Sequence, residues 1–286
     1  MTTDANIQVD DEGRLRHLLT TEGLPAKLIK EILDTAESFL PVGGKRIKSA
    51  PLLRGHTVMN LFFEASTRTR TTFELAAKRL SADVLNLQME SSSKTKGETD
   101  IDTLVTLQAM QVDMFVIRHP DNGATIEFAH TVDKDVAILN AGDGSNAHPT
   151  QALLDAFTIR RHKPDFSKLK IAIVGDVLHS RVAHSNIHAL KTLGVPDIRI
   201  VAPPELMITN ADELGVETYH DLKDGITDAD VVMTLRLQHE RMHEKKVASL
   251  EAYNQDYGLT QSNLAPVASD AIIMHPGPIN RGVEID

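Results

Sequence analysis

Residues 62–80 read FFEASTRTRTTFELAAKRL. The apolar run Leu61-Phe62-Phe63 gives way to a serine, and beyond it Phe73, Ala76, Ala77 and Leu80 recur at helical spacing. The segment therefore predicts a strand over Thr57–Phe63 feeding a helix over 70–80, with Ser66 at the N-cap position. Yet the first turn carries Arg68 and Arg70. A helix start is its positive end, where a cation costs about 0.3–1 kcal/mol. Unpaired helix N–H groups, hydroxyls and a guanidinium together form a cradle for phosphate, and a dianion among them reverses the sign of that cost. A local rule broken without local compensation marks a functional position. The competing reading has both arginines in solvent, paired with Glu64 or Glu74.

Outward from this unit the pattern repeats. Further strands are predicted at Val84–Gln88, Met114–Arg118, Val136–Asn140, Ile171–Val174, Ile198–Val201, Val231–Leu235 and Ile272–Met274. Helices are predicted over 25–40, 100–110, 124–131, 150–161, 182–193 and 244–253. Alternation of this kind gives parallel sheets covered by helices, and eight strands exceed one compact sheet for this length. The expectation is α/β: two doubly wound domains, each with a mainly parallel sheet, over 1–160 and 161–286. The helix in HPTQALLDAFTIRRHKP (148–164) bridges them.

The 286 residues carry a net charge of −10, which argues against a dedicated nucleic-acid binder but not against a small anionic ligand. With no cysteine, disulfides, thiolate metal sites and cysteine nucleophiles are excluded. The N-terminus lacks the pattern of a signal peptide, and no apolar stretch is long enough to cross a bilayer, so a cytoplasmic protein is the expectation. The acidic first dozen residues read as a loose tail.

In open α/β sheets, ligands lie at the carboxyl ends of strands. Three further strand ends carry donors, glycines or prolines there: Arg118-His119-Pro120, NAGDGSNAHPTQ (140–151) and His275-Pro276-Gly277-Pro278. Pro149 suits the first position of a helix and stiffens His148 at its start, where a neutral imidazole can donate to a carbonyl oxygen; a plain cap with an exposed histidine is the alternative. KIAIVGDVLHSRVAHSNIHALKTLG (170–194) opens like a nucleotide fold but lacks G-x-G-x-x-G, and no Walker loop occurs. Arg181 stands at that second helix start, and Arg236 and Gln238 follow another strand; an isolated arginine at either place also reads as a surface residue. SSSKTKGETD (91–100) reads as a polar loop whose lysines could reach an anion. His239-Glu240-Arg241-Met242-His243 matches the zinc-protease pattern H-E-x-x-H, but it follows a strand, has charges on most sides and lacks a third ligand.

Taken together these segments resemble the aspartate/ornithine carbamoyltransferase family. FFEASTRTRTTFELAAKRL, SSSKTKGET, RHP, HPTQALLD, GDVLHSRVAHS, LRLQHER and MHPGPINRGVEI occur in the family's order over nearly the whole chain. Ornithine-using members carry a cysteine in an H-C-L-P segment; His275-Pro276-Gly277-Pro278 and the absence of cysteine are similar to the aspartate-using catalytic chains. The resemblance implies that Ser66, Thr67, Arg68 and Thr69 bind the phosphate of carbamoyl phosphate, and that Thr69, Arg118 and His148 contact its carbonyl oxygen. It implies that Gln151 and the backbone at Gly277 and Pro278 hold the carbamoyl amine, and that Arg181, Arg236 and Gln238 receive the aspartate carboxylates. Ser92 and Lys96 would reach a neighbouring subunit's site, since members form homotrimers with shared sites. The implied reaction gives N-carbamoyl-L-aspartate and phosphate in de novo pyrimidine biosynthesis, with no cofactor and no metal. A dihydroorotase-like or regulatory partner is a further implication, with no nucleic acid and no membrane. Members continue past the equivalent of Asp286 into a final helix. A catalytically silent scaffold subunit of this fold, or a carbamoyltransferase for another amine, are the alternatives.

The H-E-x-x-H segment generates a test. Metal analysis of the purified protein is expected to find no stoichiometric zinc on which activity depends; one activity-linked zinc per chain would restore the metallohydrolase reading.

Overall fold

The computed structural model describes residues 7–40, 49–89, 98–237 and 249–286. Its contacts divide the chain into two units, Met1–Thr150 and Gln151–Asp286.

The first unit holds helix α1 (Ala26–Ser38), then β1 (Thr57–Phe62), α2 (Thr67–Arg79), β2 (Asp83–Gln88), α3 (Asp100–Gln108), β3 (Met114–His119), α4 (Ala124–Thr131) and β4 (Ala137–Asp143). The sheet order is β2-β1-β3-β4, with all pairings parallel. Strands β1, β3 and β4 are largely buried on both faces, as helix-covered parallel sheets require, whereas edge strand β2 exposes Asp83, Leu85 and Asn86. Successive side chains point to opposite faces, so Met59, Leu61, Phe115, Ile117 and Ile138 join one cluster. Val58, Phe62, Val116 and Ala141 join another with Ala77 and Phe73 of α2. Each fully buried Val, Leu, Ile, Phe or Met among these contributes about 1.5–3 kcal/mol. The α2 stripe thus rests on Phe73 and Ala77, while Ala76 is exposed.

The second unit has β5 (Lys170–Val174), α6 (Arg181–Leu193), β6 (Asp197–Val201), α7 (Ala211–Leu214), β7 (Glu217–Tyr219), α8 (Leu222–Ile226), β8 (Val231–Thr234), α9 (Leu250–Tyr257) and β9 (Ile272–Met274). Its sheet order is β7-β6-β5-β8-β9, again all parallel. Helix α5 (Pro149–His162) runs across the division between the units, at Thr150 and Gln151. Two doubly wound parallel-sheet units are therefore present, as expected. Strand β7 was not foreseen, because it is a three-residue edge strand whose Glu217 and Thr218 are exposed.

One expectation is corrected. The first dozen residues, from Ile7 on, are not a loose tail. Gln8 is buried, and its Oε1 accepts from the backbone N–H groups of Leu19 (2.7 Å) and Thr20 (3.0 Å). Leu18 then pairs with β4, donating to Ile138 O and accepting from Asn140 N–H, both at 2.9 Å, so the segment covers a sheet edge. No helix among the described residues is long and apolar enough to cross a membrane.

His17 anchors this cover. Its Nδ1 accepts from Ile138 N–H at 2.9 Å, and burial, followed by the charges of Arg16 and His130, pushes its pKa down to about 4. The unfolded chain therefore takes up a proton near pH 6.5 that the folded chain refuses until about pH 4. This contribution is full above the unfolded value and is lost as pH falls through that window. Thermal melts from pH 7 to pH 4 should show a decline that His17→Gln reduces; identical slopes would contradict the assignment.

Candidate functional site

A parallel sheet opens a crevice where the chain leaves neighbouring strands in opposite directions. In the first unit that point lies between β1 and β3, since β1 is followed by β2 on one side and β3 on the other. The segments leaving there are Ser66–Arg70 after β1 and Arg118-His119 at the end of β3. Ser66 is the N-cap of α2, yet its hydroxyl takes none of the helix N–H groups. By contrast Thr99, Ser180, Asp221 and Ser249 each accept from a first-turn N–H, whereas Asn210 before α7, like Ser66, does not. The first turn of α2 thus offers backbone donors alongside the hydroxyls of Ser66, Thr67 and Thr69 and the exposed Arg68.

Glu64 pairs with Arg118 at 2.6 Å and Glu74 with Lys78 at 2.5 Å. Arg118 retains only 13% of its side-chain exposure, and its Nη1 donates to Ala141 O at 3.1 Å. That carbonyl lies where the pairing of β3 with β4 slips: Ile117 faces Asn140 while His119 faces Asp143. Such a bulge beside a site re-aims side chains, and it carries β4 three residues beyond the predicted end.

His148 is half-buried immediately before Pro149, the first residue of α5. Its Nδ1 lies 3.4 Å from the Thr150 hydroxyl. The loop delivering it is pinned by Asp143, which is fully buried. Oδ1 of Asp143 accepts from Ala147 N–H (3.0 Å) and Asn140 Nδ2 (2.9 Å); Oδ2 accepts from Gly123 N–H (2.8 Å) and Asn146 Nδ2 (3.0 Å). Ser66–Thr69, Arg118 and His148 thus all end or follow strands at the carboxyl edge of one sheet.

The second unit repeats the plan. Its strand order reverses between β5 and β8. The chain leaves β5 through Gly175, at φ +119, where a Cβ would sit 2.9 Å from the Tyr253 hydroxyl and 3.0 Å from Leu235 O, so only glycine fits. Buried Asp176 holds His179 Nδ1 at 2.7 Å, Ser180 caps α6, and Arg181 opens that helix at 6% exposure. Arg236, half-buried, stands two residues beyond β8. Beyond β9, His275 Nδ1 accepts from Gly277 N–H at 2.7 Å, which leaves the ring proton on Nε2, 3.3 Å from Glu284 Oε1. Asn280 N–H donates to the same oxygen at 2.6 Å, fixing the turn that carries Gly277 and Pro278, joined by a cis peptide. Gln151, in the first turn of α5, donates from Nε2 to Asp155 Oδ1 at 2.9 Å.

Ser92, Lys96, Gln238 and the H-E-x-x-H segment lie outside the described residues. Among the described residues no group of three His, Asp or Glu is arranged to hold a metal. The sequence reading did not single out Asp143, Glu284 or Asp155. Only Asp143 had a visible signal, its place among asparagine and glycine directly after a strand.

Two family models match the chain: aspartate/ornithine carbamoyltransferase, carbamoyl-P binding domain, over residues 16–161, and aspartate/ornithine carbamoyltransferase, Asp/Orn binding domain, over residues 167–286. Among solved structures, the chain is similar to aspartate transcarbamoylase from Trypanosoma cruzi in complex with carbamoyl aspartate and phosphate. The identity is 31% and the TM-score 0.79, covering 95% of this chain and 86% of that one. The same enzyme in complex with N-(phosphonacetyl)-L-aspartic acid matches at 31% identity and a TM-score of 0.81, over 95% and 86% of the two chains. Ornithine carbamoyltransferase from Thermus thermophilus shares the fold, at 22% identity and a TM-score of 0.81, over 95% and 88%.

Asp143→Ala should cost at least about 3 kcal/mol, because it strands several buried donors at once. Urea denaturation measures this; a loss under about 1 kcal/mol would show that the loop before His148 is held by something else.

Proposed function

Because the chain belongs to the aspartate/ornithine carbamoyltransferase family, we propose that it transfers the carbamoyl group of carbamoyl phosphate to the α-amine of L-aspartate. The products are N-carbamoyl-L-aspartate and phosphate, feeding de novo pyrimidine biosynthesis. The observation that carries the choice of acceptor is the pair of arginines flanking the β5/β8 switch point, Arg181 and Arg236. Two guanidinium forks suit the two carboxylates of aspartate, whereas the cationic side chain of ornithine would be repelled.

The roles follow from residue chemistry. Ser66, Thr67, Arg68 and Thr69, with the N–H groups of the α2 start, bind the phosphate. Thr69, Arg118 and His148 donate to the carbonyl oxygen as it takes up negative charge, each such donor contributing about 3 kcal/mol. For Arg118 this means exchanging its pairing with Glu64 for the substrate. Gln151 and the backbone of Gly277 and Pro278 hold the carbamoyl amine, and Gln238 joins Arg181 and Arg236 on the acceptor. The amine attacks the carbamoyl carbon, the C–O bond to phosphate breaks, and the departing phosphate takes the ammonium proton. Positioning of the two reactants supplies about 7–11 kcal/mol. In this reading residues 1–160 bind carbamoyl phosphate and 161–286 bind aspartate. The enzyme is a cytoplasmic homotrimer in which Ser92 and Lys96 complete a neighbour's site. Family membership supports these assignments.

The test is formation of carbamoyl-aspartate from carbamoyl phosphate and aspartate, with ornithine as the competing acceptor and native mass measured alongside. Turnover with aspartate and a trimeric mass are expected, and Arg68→Ala should lower kcat/KM by about 100-fold or more. Turnover with ornithine alone, or full activity in Arg68→Ala, would overturn the proposal.

A further inference from the structure

The amide of Gln151 has a donor end and an acceptor end, and only one of them can serve a carbamoyl group. The carbamoyl amine is itself a donor, so the end that meets it must be Oε1. We propose that Asp155 is a positioning residue that fixes this choice, holding the Gln151 nitrogen so that the amide oxygen is the end left open to the carbamoyl amine. The inference rests on the reading of Gln151 given under Proposed function.

The geometry is a relay of hydrogen-bond polarity with a fixed starting point. Val182 O, a backbone carbonyl that can only accept, takes a bond from Asn186 Nδ2 at 3.0 Å. The same nitrogen donates to Asp155 Oδ2 at 2.8 Å. Both acceptors face one end of the Asn186 amide, so its nitrogen must point to them. The reversed amide would set oxygen against oxygen twice. The orientation leaves Asn186 Oδ1 buried without a hydrogen-bond partner, a local penalty tolerated to keep the nitrogen in place. Asp155, with both oxygens accepting, then takes Gln151 Nε2 at 2.9 Å, one helical turn back along α5. No described residue hydrogen-bonds Gln151 Oε1. The polarity set by a carbonyl in α6 is thus passed through two side chains to the outer face of Gln151.

The identity of residue 155 matters to this relay. Asp155 is 5% exposed, in a helix whose other buried positions here, Ala152, Leu153, Ala156 and Ile159, are apolar. Burial pushes its carboxyl up to about 6, and the bonds from Asn186 and Gln151 act in the opposite direction. At neutral pH it is ionised and can only accept. A neutral amide of the same shape would instead present its own NH2 to Gln151, because its oxygen is claimed by Asn186. Gln151 would then turn its oxygen inward and present a donor to a donor.

Asp155→Asn therefore tests polarity at nearly constant volume. With carbamoyl phosphate and aspartate as the assay substrates, the KM for carbamoyl phosphate should rise about tenfold or more, the scale of one misdirected hydrogen bond. The KM for aspartate should stay within about twofold and the melting temperature within about 3 °C. The double variant Gln151→Glu with Asp155→Asn moves the carboxylate to position 151. There it accepts from Asn at 155 and keeps an oxygen for the carbamoyl amine, so most of the lost affinity should return. A merely structural Asp155 predicts no such rescue. Gln151→Ala separates the two levels: if it leaves the KM for carbamoyl phosphate unchanged, the reading of Gln151 fails and this inference with it. If Gln151→Ala raises that KM while Asp155→Asn does not, or the double variant is no better than Asp155→Asn, the positioning role is overturned and the reading of Gln151 stands.

Discussion

Concentrated positive charge at the carboxyl ends of two parallel sheets is the constraint around which this molecule is arranged. In each unit the strand order reverses beside a central strand, and in each an arginine-bearing helix start follows that strand: Arg68 after β1, Arg181 after β5. A second arginine belongs to the strand across the reversal, Arg118 in β3, or follows it, Arg236 after β8. Helix starts are already positive, so an arginine there is locally unfavourable and an anion beside it is favoured. Under the proposed function, this arrangement gives a ligand with several negative charges its affinity. The donor and acceptor of the proposed reaction are both of that kind.

The remaining polar structure serves to hold these groups still. Carboxylates do it from inside: Asp143 fixes the loop before His148, Glu284 fixes the turn at Gly277, Glu64 holds Arg118, and Asp155 orients Gln151. A carboxylate suits the task because it accepts several bonds and donates none when ionised, so each neighbouring amide or N–H has one permitted direction. Proposed catalysis here rests on orientation and preformed donors, which is where such rigidity counts most.

Much of this was legible in the residues. The alternation of apolar runs and helical stripes gave the strand and helix order, because buried parallel strands leave a strong local signal. What escaped were elements whose reason lies elsewhere in the chain. Strand β7 is exposed and three residues long, and it exists because β6 offers it a partner. The N-terminal segment looked loose because its anchors, Ile138 and Asn140, are more than a hundred residues away. Among site residues, Arg68 and Arg181 were visible as violations of a local rule. Glu64 entered only in the competing reading, as a surface partner of the arginines, and its pairing with Arg118 depends on the register of β1 against β3. The spacing of Gln151 and Asp155 is plain in the sequence, but the bond that gives it meaning, from Asn186, crosses 31 positions.

The most direct measurement is calorimetric titration with N-(phosphonacetyl)-L-aspartate, which joins a phosphonate to a dicarboxylate in one molecule. The account predicts tight binding, at about one ligand per chain, that Arg68→Ala and Arg181→Ala each weaken by about 100-fold or more. Absence of binding by the unaltered chain, or undiminished affinity in both arginine variants, would contradict it.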